Sequence, residues 1–215
     1  MKQSMTILQV IEKLEELYSP PRSFLDWKTP LDLTVATILS AQCTDVRVNI
    51  VTKKLFKRCR KPQDYLKLSR TELENLINSC GTFRNKARFI QGLCTLLLER
   101  HDGKVPKTMK ELTALPGIGK KTAAIIMYAA FEKQEGIAVD THVMRLTQRL
   151  GFTKQKYPDK IALDLEKQTP RDKWGRLNTL MISHGRAICI ARSPKCEKCV
   201  FSKTCPSSQI LTKAK

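Results

Sequence analysis

The sequence predicts an all-α protein of about ten short helices. Apolar residues recur at helical spacing in almost every segment, and nowhere does apolar–polar alternation last long enough to make a strand. Threonine, aspartate and proline, which favour helix starts, stand where those patterns begin.

The first pattern is Ile7, Val10, Ile11, Leu14 and Leu17, with Glu12, Lys13, Glu15 and Glu16 between them and Pro20-Pro21 closing it. This is an amphipathic helix and not a signal peptide. Thr29-Pro30 opens a second helix, whose face continues through Leu31, Val35 and Ile38. Thr44-Asp45 caps a third, with Val48, Val51 and Leu55 on its face. Further helices are expected over 71–78, 85–99, 108–114, 121–131, 141–150, 158–167 and 171–186. The apolar run 123–131 is the longest, well short of the ~20 residues that cross a bilayer. The polar stretch "EKQEG", 132–136, follows it and is a candidate domain crossing. From Cys189 onward the periodicity lapses into a tail rich in cysteine, lysine and proline.

The chain's 215 residues suffice for one ample core or two modest domains. Lys+Arg number 39 against 20 for Asp+Glu, a formal charge of +19 at pH 7. Such an excess repels itself in the folded state and fits an acidic partner. Nucleic acid is favoured, because each neutralised phosphate releases counterions; an anionic membrane surface is the rival. The absence of a leader or a spanning segment points to an intracellular protein, whose cysteines serve as thiols or metal ligands rather than disulfides.

Four cysteines, Cys189, Cys196, Cys199 and Cys205, cluster as C-x6-C-x2-C-x5-C. Cys43, Cys59, Cys80 and Cys94 are scattered and read as small buried residues. Four clustered thiolates call for a metal. Zinc commonly takes two C-x2-C knuckles, and only one close pair is present. The longer gaps suit an iron–sulfur cube, and both readings stay open on spacing alone. The tail has too few apolar residues to fold alone, so metal binding would supply its folding free energy. Arg192 and Lys195, inside the first loop, either touch phosphates or offset the negative cluster.

"LPGIGKKTAAII", 115–126, separates two predicted helices. Pro116 ends the first, while Gly117 and Gly119 permit positive φ and close backbone approach. The result is either an anion site at a helix N-terminus or an ordinary tight turn. A cation in a first turn opposes the helix dipole at a cost of ~0.3–1 kcal/mol. Lys120 can reach solvent or phosphate. Lys121 precedes Ala123, Ala124, Ile125 and Ile126; pointing inward, it would be held neutral by desolvation and the dipole, and so be a nucleophile. In "GIAVDTHVMRL", 136–146, Asp140 is either the cap of the next helix or an acid–base partner. His142, on its own, reads as structural.

Together these residues resemble the endonuclease III family of DNA glycosylases, in the helix-hairpin-helix superfamily. The matching motifs are "LSAQCTDVRVN" (39–49), "LPGIGKKTA" (115–123), "VDTH" (139–142), "HGRAIC" (184–189) and the four-cysteine tail. The resemblance spans nearly the whole chain. It implies a six-helix domain over 24–133 containing the helix-hairpin-helix. A discontinuous domain of 1–23 and 134–215 would carry a [4Fe–4S] cluster on Cys189, Cys196, Cys199 and Cys205, in the loop 189–205. Double-stranded DNA with damaged bases or abasic sites would lie between them.

The resemblance makes Lys121 and Asp140 catalytic. A damaged base, typically an oxidised pyrimidine, is flipped out; Lys121 attacks the sugar C1′ to give a Schiff base, and β-elimination cuts the strand 3′ to the lesion. The implied DNA contacts are Gln42, Gly117, Gly119, Lys120, His142, Arg192 and Lys195, with Gln42 filling the space the extruded base leaves. Where the family often has a leucine wedge this chain has Thr82, so weaker insertion into the opposite strand is expected, or insertion by Phe83. A cytoplasmic, nucleoid-associated monomer is expected. The rivals are an adenine-specific mismatch glycosylase, which lacks the lyase lysine and typically has a further C-terminal domain where this chain has ten residues after Cys205; a non-catalytic iron–sulfur regulator; and a zinc-stabilised basic module.

Overall fold

The structure, a computed structural model, describes residues 5–212. It is all-α, with no strand among those residues. The chain divides into two compact helical units, one formed by Ser23–Glu135 and the other by Met1–Arg22 together with Gly136–Lys215.

The continuous unit holds α2 (Pro30–Ser40), α3 (Asp45–Arg58), α4 (Pro62–Lys67), α5 (Arg70–Ile77), α6 (Phe83–Arg100), α7 (Met109–Thr113) and α8 (Lys120–Phe131). That is seven segments where the sequence predicts six. The addition is α4, a turn and a half whose start is tied by the Arg60 and Lys61 amides donating to Asp64 Oδ2 at 3.0 and 3.2 Å. So short a helix has no period to display, yet its Tyr65 is fully buried. α2 departs from its predicted one-sided face: every residue from Leu31 to Leu39 is buried. A helix apolar all round is an interior rod, and α3, α6 and α8 pack about it. Its Thr34 and Thr37 hydroxyls are satisfied internally, donating to Pro30 O and Leu33 O at 2.7 Å.

The discontinuous unit holds α1 (Ile7–Leu17), α9 (Thr141–Leu150), α10 (Pro158–Gln168), α11 (Trp174–Ala187) and the short α12 (Gln209–Thr212). The helix expected over 171–186 begins instead as a 3₁₀ turn, Arg171–Lys173. The predicted stripe of α1, Ile7, Val10, Ile11 and Leu14, is the buried one, while Leu17 is exposed. The stripe shares a core with Val143, Leu146, Ile161, Leu165, Leu177 and Leu180. Arg176 ties α11 to the start of the chain, donating to Glu15 Oε1 at 3.1 Å and Pro20 O at 2.8 Å. Among the described residues no helix is long and apolar enough to cross a membrane.

Candidate active site and metal centre

In the continuous unit, α7 and α8 are joined by the glycine turn. Leu115 and Ile118 are buried and anchor it, and the Ile118 amide closes onto Leu115 O at 3.2 Å. Gly117 has φ +79, and a Cβ there would lie 3.0 Å from Phe89 Cβ, so both backbone and packing demand glycine. Gly119 is different. It caps α8 with an ordinary extended φ of −91, and nothing lies within 4 Å of where its Cβ would be. The positive φ that glycine permits at both positions is used only at the first; the second leaves open space at a helix N-terminus.

Lys120 and Lys121, the first residues of α8, are both exposed. Lys121 therefore does not take the inward orientation considered from the sequence and stays out of the apolar interior of its unit. Among the described residues the amine has no hydrogen-bond or ion-pair partner, while Ala123, Ala124, Ile126 and Met127 bury the opposite face of α8.

Two further turns of this unit are unusual. Gln42 (φ 54) and Thr82 (φ 55) both adopt the left-handed conformation, which costs a residue with a β-carbon ~1–3 kcal/mol. Gln42 is exposed at the tip between α2 and α3. Thr82 is exposed at the start of α6, with its hydroxyl donating to Gly81 O at 2.7 Å. The same unit has a cavity of about 700 Å³ lined by Trp27, Phe56, Lys53, Lys57 and Arg60. None of the residues expected to act lines it, and Asp32 on its wall is engaged in capping α2.

In the discontinuous unit Asp140 is the N-cap of α9, its Oδ1 accepting from the His142 and Val143 amides at 2.9 and 2.8 Å. Both bonds fall on one oxygen, so capping and chemistry can coexist in this carboxylate. Arg145 Nη2 donates to His142 Nδ1 at 3.0 Å and to Gly185 O at 3.0 Å. Burial, reinforced by Arg145 and Arg186 and opposed by Asp140, lowers the His142 pKa. Gly185 is required by this packing, since a Cβ there would come 2.6 Å from His142 Nδ1. His142, half-buried, thus braces the α9–α11 contact through Arg145.

Cys189, Cys196, Cys199 and Cys205 line one cavity with Arg149, Pro194 and Lys195. Phe201, 1% exposed, pins the loop to the core. His184, buried beneath it, accepts or donates between Tyr18 Oη at 3.1 Å and Cys199 Sγ at 3.4 Å, and burial lowers its pKa to about 4. Arg149 and Arg145 were invisible as functional residues in sequence. Arg149 donates to Cys189 Sγ (3.3 Å), Ile190 O (2.9 Å) and Ala191 O (2.8 Å), and Arg145 Nε donates to Cys189 O (2.9 Å). Their only signal is a four-residue spacing on one helix, which reads equally as a solvated face. The Lys195 amine turns back to Ala187 O at 3.2 Å, and Arg192 is exposed. Burial pushes the Cys199 thiol up to about 11, with the other three thiols adding to the shift. Among the described residues no group of three His, Cys, Asp or Glu is set to hold a metal ion, so the shared cavity is what marks the four cysteines as the candidate ligands.

Comparison with known proteins places this geometry. Residues 35–171 match the model of the HhH-GPD superfamily base excision DNA repair proteins. Endonuclease III of Synechocystis sp. is 48% identical over 201 residues, covering 94% of this chain and 92% of the relative. A solved endonuclease III in a non-covalent DNA complex superposes with a TM-score of 0.91 at 38% identity, covering 97% of this chain and 99% of that one. A trapped covalent endonuclease III–DNA intermediate does so at 0.90, with the same identity and coverage. The resemblance read from the motifs is therefore borne out, and the chain belongs to the endonuclease III family of DNA glycosylase/AP lyases, within the HhH-GPD superfamily of base excision DNA repair proteins.

Proposed function

We propose that this enzyme excises oxidised pyrimidines from double-stranded DNA and cuts the strand at the resulting abasic site, with Lys121 as nucleophile. The observation that carries the reading is the unpartnered, exposed Lys121 amine in the first turn of α8, directly after a glycine turn with open space at Gly119. A helix N-terminus attracts phosphate through its free N–H groups. A phosphodiester seated there would set the adjoining sugar within reach of the amine. DNA is the partner, in keeping with the +19 charge and with the DNA-bound endonuclease III structures that resemble this chain. The protein acts as a monomer wherever the cell keeps its DNA.

Lys121 Nζ bonds to C1′ as the glycosidic bond breaks and the base departs with the bonding electrons. Asp140 accepts the amine proton and offsets the positive charge that develops on the sugar. Opening of the sugar ring gives the Schiff base. Loss of a 2′ proton then expels the 3′ phosphate, and water releases the lysine. Gln42 occupies the vacated stack, and Thr82 or Phe83 meets the opposite strand. Gly117, Gly119, Lys120, His142, Arg192 and Lys195 receive phosphates. With His142 Nδ1 taken by Arg145, only its Nε2 is left for that purpose, and Lys195 must first release Ala187 O.

Cys189, Cys196, Cys199 and Cys205 would hold a [4Fe–4S] cluster. Their shared cavity and their spacing, with only one close C-x2-C pair between longer gaps, favour it over zinc. When bound, the cluster supplies thiolate–iron bonds that fold the tail and shape its basic loop. The visible absorption of thiolate-bound iron in freshly purified protein tests this; a colourless protein with bound zinc would overturn it. For the chemistry, borohydride should trap wild-type protein on a duplex carrying an oxidised pyrimidine and fail to trap Lys121→Gln. Equal trapping by the variant would exclude Lys121 as the nucleophile.

A further inference from the structure

Lys86 lies on α6, one turn beyond Thr82, and is 2% exposed. A buried ammonium is costly unless it is well bonded. Here Nζ donates to Leu39 O at 2.8 Å, in the last turn of α2. Its backbone N–H meanwhile bonds to Thr82 O at 3.2 Å. One residue thus closes the final turn of the helix leading to Gln42 and the opening turn of the helix that follows Thr82. The two tips are also in direct reach of each other, since a Cβ on Gly81 would sit 3.7 Å from Gln42 O. Cys43 and Cys80, which flank these tips, lie beside the ammonium. Burial pushes the Cys80 thiol up to about 11, with Cys43 adding to the rise. Among the described residues no carboxylate pairs with Lys86. The charge complements the negative end of the α2 dipole. A methionine of similar length would fill the same volume without the desolvation cost, so packing alone does not account for a lysine.

We infer that Lys86 is a positioning residue that locks the Gln42 and Thr82 tips into one frame, so that both left-handed residues enter the opened base stack together. The inference rests on the reading that these tips meet DNA. It differs from the chemistry assigned to Lys121, because it concerns separation of the strands and not bond breaking.

The test compares wild type with Lys86→Met, which keeps the stem and removes the donor. Helix content, thermal transition and the visible band should be retained. Single-turnover excision from an intact lesion duplex should fall about 10- to 100-fold, as small misplacements of positioning groups do. Cleavage of a preformed abasic site in single-stranded DNA, where no stack has to be filled, should stay close to wild type. An equal fall on both substrates would mean a merely structural role, and no fall on either would remove the brace. A second readout does not need catalysis: 2-aminopurine beside the lesion should brighten when the Lys121→Gln protein binds, and much less when Lys86→Met is added. An unchanged signal overturns the inference whatever the activity. If wild-type protein excises nothing and yet the signal depends on Lys86, the proposed function fails and the brace stands. Should Lys86→Met not fold, Lys86→Gln carries the same comparison with a shorter side chain.

Discussion

Gly117 and Gly119 are two positions apart and do different work. Gly117 sits at φ +79 against Phe89, so Gly117→Ala should lower stability by about 1–3 kcal/mol in thermal denaturation and weaken DNA binding with it. Gly119 has room for a methyl and an unstrained φ. Gly119→Ala should therefore cost under about 1 kcal/mol of stability, and any larger loss should appear in DNA affinity, where the added carbon meets a phosphate. Asp140 offers a sharper separation. Asparagine caps helices as well as aspartate does, so Asp140→Asn should fold normally. Excision should nonetheless fall by about 10²–10⁴, the usual contribution of a general acid–base group. A fully active Asp140→Asn would reduce the carboxylate to its capping bonds with His142 and Val143. For Thr82, excision opposite each of the four bases should differ between wild type and Thr82→Leu; matching profiles would take the threonine out of specificity.

At the scale of elements, α9 does more than its sequence declares. Its span and its aspartate cap were legible, and Gly151 closes it in the left-handed region (φ 84). Its arginines were not, because their partners Cys189, Ile190 and Ala191 lie about forty positions downstream. Local patterning holds no trace of so distant a bond. Arg149→Leu should leave the helical cores intact and make the 189–205 loop the first point of protease attack. The α9–α11 contact also responds to pH. The His142 pKa is lowered, mainly by burial, and its neutral ring accepts from Arg145, with Asp140 and Arg186 facing it. Below about pH 6.5 the unfolded chain therefore binds the proton that the folded chain refuses. Stability should fall as pH drops from that point towards the folded-state pKa, and the decline should be shallower in His142→Gln. The other shortfalls of sequence reading share one cause. α4 was too short to show a period, the all-round burial of α2 depends on neighbours from elsewhere in the chain, and the exposure of Lys121 is decided by the angle of a single side chain.

For the whole molecule, the charge of +19 predicts steep salt dependence. Log affinity for undamaged duplex should decline linearly with log salt, the slope reporting about 0.9 per phosphate engaged. Replacing Lys120 by Gln should reduce that slope by roughly one; an unaltered slope would leave this lysine off the phosphate path. The discontinuous unit has a different kind of consequence. α1 packs chiefly on α11, with Arg176 and His184 clasping Glu15, Pro20 and Tyr18. During synthesis α1 must wait, apolar stripe uncovered, while the 23–135 segment is made. The nascent chain is then most vulnerable to aggregation and to chaperone capture until α11 emerges.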